Sequence, residues 1–265
     1  MTYDAARELD RLGYGDSCMH RLDSRAKLVV ALVFILCVTS FPKYTVSSLI
    51  PFFLVPLAFV TLGNVPARPI LRLILIASPF AIVVGLFNPF LDRSPMGSIA
   101  GICITGGMLS FASILLRFTL SLGIVLALIA TTSLPGLLHG LVRMGVPRAF
   151  AAQVQMLYRY LFLLVEEGRQ LHWARLLRDS KHRFASPRLA KSMLASLLWR
   201  TWERAERIYE SMKVRGFTGD FPSLQRHSFS VSDAIFVTGV SAMCVFARVF
   251  SIPQWIGALM MNGAS

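Results

Sequence analysis

Basic side chains at the ends of two predicted helices are the groups in this sequence best suited to bind another molecule. The segment SMKVRGF, residues 211–217, places Lys213 and Arg215 just before Gly216, and glycine often takes the left-handed conformation that ends a helix. The earlier segment ARLLRDS places Arg178 in a similar position. Because a guanidinium group is a planar fork that fits carboxylates and carbonyls, the two ends are predicted to dock into identical acidic grooves on soluble partners. The alternative is that these cations only complement their helix dipoles.

Residue types that serve catalysis or metal binding are scattered along the chain. The five histidines lie far apart, and only Asp92 and Asp233 lie near the ends of apolar stretches, so no carboxylate cluster for a metal ion can be drawn. The sequence contains no GxxxxGK[ST] phosphate-binding loop, which excludes an ATPase of that class. The four cysteines form no Cys-x-x-Cys pair and are interpreted as small buried hydrophobic residues. We therefore expect no catalytic residue, metal site or cofactor in this chain.

The composition predicts an integral membrane protein. The 265-residue chain is 55% hydrophobic and only 15% charged, and several apolar runs approach the length that spans a roughly 30 Å hydrocarbon core. No secretory signal is recognisable in the first 27 residues, whose charges alternate in sign. The expected fold class is all-α, a polytopic membrane protein with about five transmembrane helices. The predicted spans are residues 26–42, 44–63, 70–91, 107–132 and 232–251.

The first predicted span is short. Only Leu28 to Phe41 is uninterrupted, so this stretch is either a span for which Lys27 must snorkel or a re-entrant segment. Pro42 breaks the helix before the next apolar stretch, which predicts a tight helical hairpin.

A single long helix is favoured over two spans between Ile99 and Thr132. The residues around Arg117 include no Gly, Pro or Asn on which the chain could turn, so one helix is expected to start near Gly106 or Gly107. A charge within a span is costly, so Arg117 should face the bundle or a partner. A contact with carbonyls or with another subunit is favoured over a role as a transport ligand.

The charge distribution predicts the orientation. The net charge is +13, and residues 134–230 carry sixteen Lys or Arg against seven acidic residues. In a polytopic protein such an excess is typical of cytoplasmic segments rather than of nucleic-acid binding. The predicted order is a cytoplasmic segment at 1–27, four transmembrane helices within 28–133, a cytoplasmic coupling-helix module at 134–230, and the last transmembrane helix with an outer C-terminus at 231–265. The predicted location is the inner membrane, crossed several times, without nucleic acid as a partner.

Two long amphipathic helices are predicted in residues 134–230. Pro147 suits the first turn of one helix, and Ser186 with Pro187 suits the start of a second that runs to about Arg215. A short helix ending at Gly145 precedes them. The second long helix carries an apolar stripe, which includes Leu198, Trp202, Tyr209 and Met212.

Two further motifs carry a family resemblance that covers nearly the whole chain. The sequence resembles the transmembrane coupling component, or T component, of energy-coupling-factor transporters, within its CbiQ-like cobalt and nickel group. The segment HRLDSRAKL, residues 20–28, is similar to the family's His-x-Leu-Asp-Pro-Arg-x-Lys-Leu, with Ser24 where proline is common. The residues Val214, Arg215 and Gly216 occupy the positions of the family's second Ala-Arg-Gly motif.

The first Ala-Arg-Gly motif of that family has two candidate positions here. One places it on Leu177, Arg178 and Asp179, where aspartate replaces the glycine. The other places it on Ala174 and Arg175. Both placements fall at the end of the first long helix.

The resemblance implies a protein that hydrolyses nothing itself. Similar proteins join two cytoplasmic ATPase subunits (CbiO-like) to a substrate-binding membrane subunit (CbiM-like), with a small accessory membrane subunit (CbiN-like) as a further partner. The resemblance implies that Lys213 to Gly216, with Arg175 and Arg178, dock at the ATPases. It also implies that membrane-side packing of the apolar stripe transmits the movement of the ATPases to the substrate-binding subunit. The expected substrate is cobalt or nickel ion.

Other functions stay open on the sequence alone. The chain is alternatively the T component of a vitamin importer, for example for biotin. A membrane transferase enzyme and a secondary transporter are rivals from other classes, although the sequence shows neither clustered carboxylates nor internal repeats.

Overall fold

The chain forms two compact units in the computed structural model, which describes residues 12, 13, 15, 17–43, 45–88, 95–99, 102–178, 187–217 and 230–249. The first unit is Met1–Gly140 together with Gln225–Ser265, and the second is Leu141–Leu224. The elements in chain order are α1 (Cys18–Arg21), α2 (Ser24–Thr39), a 3-10 helix (Ser47–Phe53), α3 (Leu54–Leu62), α4 (Ala67–Leu86), β1 (Pro95–Ile99), β2 (Ile102–Thr105), α5 (Gly106–Thr131), α6 (Leu134–Arg143), α7 (Arg148–Arg178), α8 (Pro187–Val214) and α9 (Val231–Val249).

Each of the five predicted spans falls on helical structure in its described part, while positions 44, 89–91 and 250–251 of these spans lie outside the described residues. Among the described residues, α4, α5 and α9 are long and apolar enough to cross a membrane by length and composition. The other two are shorter, because α2 has 16 residues and the apolar stretch Ser47–Leu62 is likewise too short for that criterion. The all-α polytopic prediction is confirmed, and the single long helix expected around Arg117 is the 26-residue α5.

Two local features were not predicted from the sequence. The stretch expected as one continuous helix from residue 44 begins as a 3-10 helix that contains Pro51, since proline has no N–H for the α-helical hydrogen bond. Strands β1 and β2 form an antiparallel hairpin in which Ser98 pairs with Cys103 and Ile99 with Ile102. The hairpin immediately precedes α5, which begins at Gly106 as expected from the sequence.

The helices of the first unit alternate in direction around α5. Lys27, near the start of α2, contacts Thr131 at the end of α5, so the two helices run antiparallel. Asn88, just after α4, donates to Ser110 near the start of α5, so α4 is also antiparallel to α5. Such alternation is what successive membrane crossings require.

An aromatic and aliphatic core fills the space between α2, the 3-10 helix, α3 and α5. Phe34 and Phe52 pack with their ring centroids 5.9 Å apart, and Leu120 and Ile124 of α5 belong to the same buried cluster. Helix α4, in contrast, exposes large aliphatic and aromatic residues such as Phe80. Exposed apolar surface of this extent fits a helix that faces lipid.

A buried lysine joins α2 to the end of α5. Lys27 is 1% exposed, and its Nζ donates to the carbonyl oxygen of Thr131 at 2.9 Å and to Oγ1 of Thr132 at 3.1 Å. The last carbonyls of a helix lack partners within it and carry the negative end of its dipole. The prediction that Lys27 snorkels was therefore wrong, because its ammonium group caps α5 inside the protein.

A buried carboxylate joins the starts of α2 and α9 at the same end of the bundle. Asp233 Oδ2 accepts from the N–H of Ser230 at 2.8 Å, as in a capping box. Its Oδ1 accepts from the N–H of Asp23 at 3.0 Å. Asp23 in turn caps α2 by accepting from the N–H of Arg25. One carboxylate thus satisfies backbone donors of two helix starts.

We call the set Asp23, Lys27, Thr131, Thr132 and Asp233 the polar junction; all five residues are buried. Its five members come from three segments far apart in the chain, and they meet where the chain leaves α5 and where it enters α9. Buried polar groups are costly unless they are hydrogen-bonded. The junction therefore fixes the mutual positions of α2, α5 and α9.

Replacing Lys27 by methionine tests this role. Lys27→Met removes two charge-assisted hydrogen bonds and leaves buried acceptors and carboxylates without their cation, so we expect a loss of roughly 2 to 3 kcal/mol in unfolding free energy. The measurement is unfolding of the purified protein in detergent. Lys43→Met, at an exposed lysine, is the control and should change stability by less than about 0.5 kcal/mol. Equal stability of the two variants would contradict the role of the junction.

Candidate functional site

Helices α7 and α8 form an antiparallel hairpin within the second unit. Glu167 of α7 lies 3.5 Å from Arg204 of α8. Closer to the turn, the Nη1 of Arg175 lies 3.8 Å from the sulfur of Met193. Residue numbers thus rise along α7 as they fall along α8. The helices contain 31 and 28 residues, which makes each of them roughly 40 to 45 Å long.

The two predicted arginine-bearing ends lie at opposite ends of this hairpin. Arg178 is the last residue of α7, and Arg215 directly follows the last residue of α8. Since the helices are antiparallel and rise 1.5 Å per residue, the two positions are separated by about 35 Å along the hairpin axis. Among the described residues, neither guanidinium group has an ion pair with a carboxylate.

The end of α8 has the geometry predicted from its glycine. Gly216 has a φ of 74°. Its N–H donates to the carbonyl of Lys213, and the N–H of Phe217 donates to the carbonyl of Met212, each at 3.0 Å. This is the pair of hydrogen bonds of a Schellman motif. It ends the helix sharply and leaves Val214 89% exposed.

Lys213 contacts an aromatic ring of its own helix. Its Nζ lies 5.1 Å from the centroid of the Tyr209 ring, within the range of a cation–π contact. Lys213 and Arg215 are both exposed. The exposed end of α8 therefore includes Lys213, Val214 and Arg215, an apolar side chain between two cationic ones.

The end of α7 brings both placements of the first arginine motif together. Arg175 and Arg178 line one cavity between α7 and α8. Asp179, the third position of one placement, lies outside the described residues. Either arginine is thus placed to meet a partner at this end of the hairpin.

That cavity is basic and was not predicted from the sequence. It has a volume of about 660 Å³. Its charged lining residues are Arg175, Arg178, Arg200, Arg204, Glu166 and Glu167. Four guanidinium groups therefore face two carboxylates. Opposed charges on two helices give no signal in either helix alone, because only their antiparallel pairing brings them into one cavity.

A second cavity between the same helices is apolar. It has a volume of about 460 Å³. Its lining includes all four predicted packing residues, Leu198, Trp202, Tyr209 and Met212. Leu198 is 71% exposed, and Trp202 and Tyr209 are also exposed. Large apolar side chains that converge on an open groove are typical of a surface that packs against another apolar surface.

Arg117 contacts a backbone carbonyl in the first unit. Its Nη2 donates to the oxygen of Pro42 at 2.6 Å. Arg248 of α9 donates to the carbonyl of the neighbouring Ser40 at 3.0 Å and lies 4.5 Å from the centroid of the Phe41 ring. The two arginines bind the turn that follows α2, at the end of the bundle opposite the polar junction. The sequence favours a contact with carbonyls or with another subunit over a role for Arg117 as a transport ligand, and that preference stays a prediction.

The described residues hold no group of three His, Cys, Asp or Glu side chains that could bind a metal ion. Cys244 is buried, Cys37 is half-buried, and both are free thiols. Cys244 belongs to the core cluster of the first unit, and Cys37 packs against that cluster. Both residues therefore pack in the way expected of small hydrophobic side chains.

Comparison with known proteins identifies the family. A model of the CbiQ family, described as cobalt transport protein, matches residues 15–227. The chain belongs to this family. The resemblance drawn from the HRLDSRAKL and SMKVRGF motifs is thereby confirmed. Members of the CbiQ family are components of transporters rather than enzymes, so the membrane transferase alternative is set aside.

Three relatives show how far the similarity extends. A protein named as a fused cobalt transport protein CbiMQ, from Methanocorpusculum labreanum, is 33% identical over 147 residues, or 54% of this chain and 23% of that protein. The chain thus matches about a quarter of the fused relative. The energy-coupling factor transporter transmembrane protein EcfT of Bacillus selenitireducens is 27% identical over 77% of this chain and 81% of its own. An uncharacterized protein of Methanocaldococcus jannaschii is 23% identical over 83% of this chain and 78% of its own.

Two glycines of the second unit provide a matched test of the α8 end. Gly216→Ala forces a Cβ onto a left-handed residue and should destabilise the Schellman end by about 1 kcal/mol. Gly168 lies inside α7 with nothing within 4 Å of an added Cβ, so Gly168→Ala should leave stability unchanged or raise it by up to about 1 kcal/mol. Amide hydrogen exchange of residues 210–217 is the measurement. Faster exchange there in Gly168→Ala than in Gly216→Ala would contradict the assignment.

Proposed function

We propose that this member of the CbiQ family is the transmembrane coupling subunit of an ATP-driven importer of the energy-coupling-factor type. In this proposal it links two cytoplasmic ATPase subunits to a substrate-binding membrane subunit. The family match to cobalt transport proteins and the similarity to EcfT support it. The arrangement of α7 and α8 is the observation that carries it.

Two exposed arginine-bearing ends on one hairpin suit two separate docking partners. Arg178 and Arg215 lie about 35 Å apart along the hairpin, a distance that a single small groove cannot bridge. Each end offers a guanidinium group that can bind carboxylates or carbonyls bidentately. A pair of ATPase subunits, each with one acidic groove, would occupy the two ends at once.

The apolar groove between the helices supplies the second connection. Leu198, Trp202 and Tyr209 present exposed apolar surface along α8, while Arg215 lies at the end of the same helix. A movement imposed on the helix end by ATP-driven closure of the ATPases would therefore shift the apolar surface as well. We propose that this surface packs against the substrate-binding membrane subunit and tilts or resets it.

The proposed orientation places the second unit on the cytoplasmic side of the inner membrane. Residues 134–230 carry an excess of basic residues, which is typical of cytoplasmic segments and supports this orientation. The N-terminus would then be cytoplasmic and the C-terminus outside. The lipid bilayer contacts the exposed apolar surfaces of the first unit.

Charge reversal at the α8 end tests ATPase docking. Arg215→Glu should weaken association with the ATPase subunits by at least about tenfold and abolish ATP-driven uptake, because a carboxylate would face an acidic groove. The protein should remain folded, since exposed charge changes seldom alter stability by more than about 0.5 kcal/mol. Arg178→Glu should behave in the same way. The measurements are co-purification of the ATPases and uptake into proteoliposomes.

Arg207→Glu is the control, because Arg207 lies on the exposed side of α8 beside Glu203 and not at a helix end. It should retain ATPase binding and uptake. Normal uptake by Arg215→Glu, or labelling that places Arg215 on the outer side of the membrane, would refute the proposed function.

The proposed substrate is cobalt or nickel ion, bound by the partner subunit and not by this chain. Proteoliposomes containing the complete complex should accumulate Co²⁺ or Ni²⁺ only with ATP, and excess biotin should not compete. A milder change, Arg215→Lys, should lower the rate without changing the ratio of Co²⁺ to Ni²⁺ uptake, because selectivity resides in the other subunit. Uptake of biotin in place of either ion would favour the vitamin importer instead.

A further inference from the structure

The basic cavity between α7 and α8 contains more positive charge than its own carboxylates can neutralise. Glu167 is shared by two arginines, with its Oε1 4.0 Å from Arg200 and its Oε2 3.5 Å from Arg204. These are loose contacts rather than a close bidentate pair, which has N–O distances near 2.8 Å. Each guanidinium group has five N–H donors, so most donors in the cavity have no carboxylate partner among the residues that the structure describes.

The exposure of these side chains leaves the cavity accessible. The side chain of Glu167 is 16% exposed, whereas those of Arg200 and Arg204 are 54% and 36% exposed. The carboxylate therefore lies at the bottom and the guanidinium groups at the rim. An incoming anion would meet the arginines before it met Glu167.

The basic cavity adjoins the apolar groove, and Leu163 and Arg204 line both. At its other end the basic cavity reaches Arg175 and Arg178, the candidate docking residues at the end of α7. Because the cavity continues into the end that is proposed to dock an ATPase subunit, an acidic protein segment is favoured over lipid head groups as the occupant.

We propose that the basic cavity binds an acidic segment of one ATPase subunit, so that Arg200 and Arg204 of α8 complete the docking site at the end of α7. This inference rests on the proposed function and extends it. The docking site near Arg178 is then built by two helices, whereas the site at Arg215 is the tip of one helix. The two ATPase subunits are consequently held by unequal contacts.

Two neutral substitutions that are expected to change ATPase association in opposite directions test the inference. The double variant Arg200→Gln/Arg204→Gln should weaken ATPase association by about tenfold and reduce its dependence on salt concentration. Glu167→Gln should strengthen association or leave it unchanged, because it makes the cavity more positive. If Glu167 and the two arginines serve only to hold the helices together, both variants should weaken association. That result would overturn the inference.

Binding is measured with the full-length protein in nanodiscs and the ATPase subunits that co-purify with it. Arg207→Gln is the matched control and should bind normally, since Arg207 is an exposed arginine of the same helix that does not line the cavity. Nanodiscs made with and without phosphatidylglycerol identify the alternative occupant. An effect of the double variant that is seen only with phosphatidylglycerol would assign the cavity to lipid and overturn the inference.

The outcome is distinguishable from failure of the proposed function. If Arg215→Glu abolishes ATPase association and the double variant does not weaken it, the cavity is not a docking site although the chain is a coupling subunit. If neither variant affects ATPase association, the proposed function fails as well.

Discussion

A buried ammonium group holds together the end of the bundle at which the chain leaves α5 and enters α9. Lys27 donates to the last turn of α5, and the neighbouring Asp233 accepts from backbone donors at two helix starts. In lipid, apolar helices gain little from burying apolar surface against one another. Polar contacts of this kind, which are costly to break, therefore do much of the positioning that a hydrophobic core alone does in a water-soluble bundle.

The opposite end of the bundle is fixed in a similar way by two arginines. Arg117 and Arg248 bind carbonyls in the turn after α2, where the end of a helix would otherwise leave acceptors unpaired. Each end of α2 is thus tied to other helices by cationic side chains, while its middle contributes to the apolar core. Contacts at both ends therefore hold α2 in place within the first unit.

The second unit has the opposite character. Two adjoining open cavities lie between its helices, and among the described residues of α7 only Ala151 is buried. Their exposed surfaces divide into an apolar groove and a basic cavity, with an arginine at each end of the hairpin. Among the described residues, large apolar side chains of this unit such as Leu198 and Trp202 are exposed. Partner subunits are the natural occupants, and the proposed function assigns one partner to each surface.

Signals that lie within a few residues of one another determined much of the secondary structure. Gly145 and Gly216 have positive φ at the ends of their helices, and Pro187 begins α8, as the capping rules predict. The apolar stretches located the helices of the first unit, and the segments HRLDSRAKL and SMKVRGF identified the family. The 3-10 helix and the short β-hairpin escaped prediction, because both interrupt stretches whose apolar composition suits a helix equally well.

The tertiary structure alone decided which charged groups meet. Lys27 and its acceptor Thr131 are 104 residues apart, and the arginines of α8 reach Glu167 only because α7 and α8 pair antiparallel. The same pairing places Arg178 and Arg215 at opposite ends of the hairpin. No local pattern specifies these contacts, since a buried charge is stable only where packing supplies its partners. The sequence by itself determined where the helices begin and end and which side chains can bind a partner, and the packing of distant helices decided where those side chains stand.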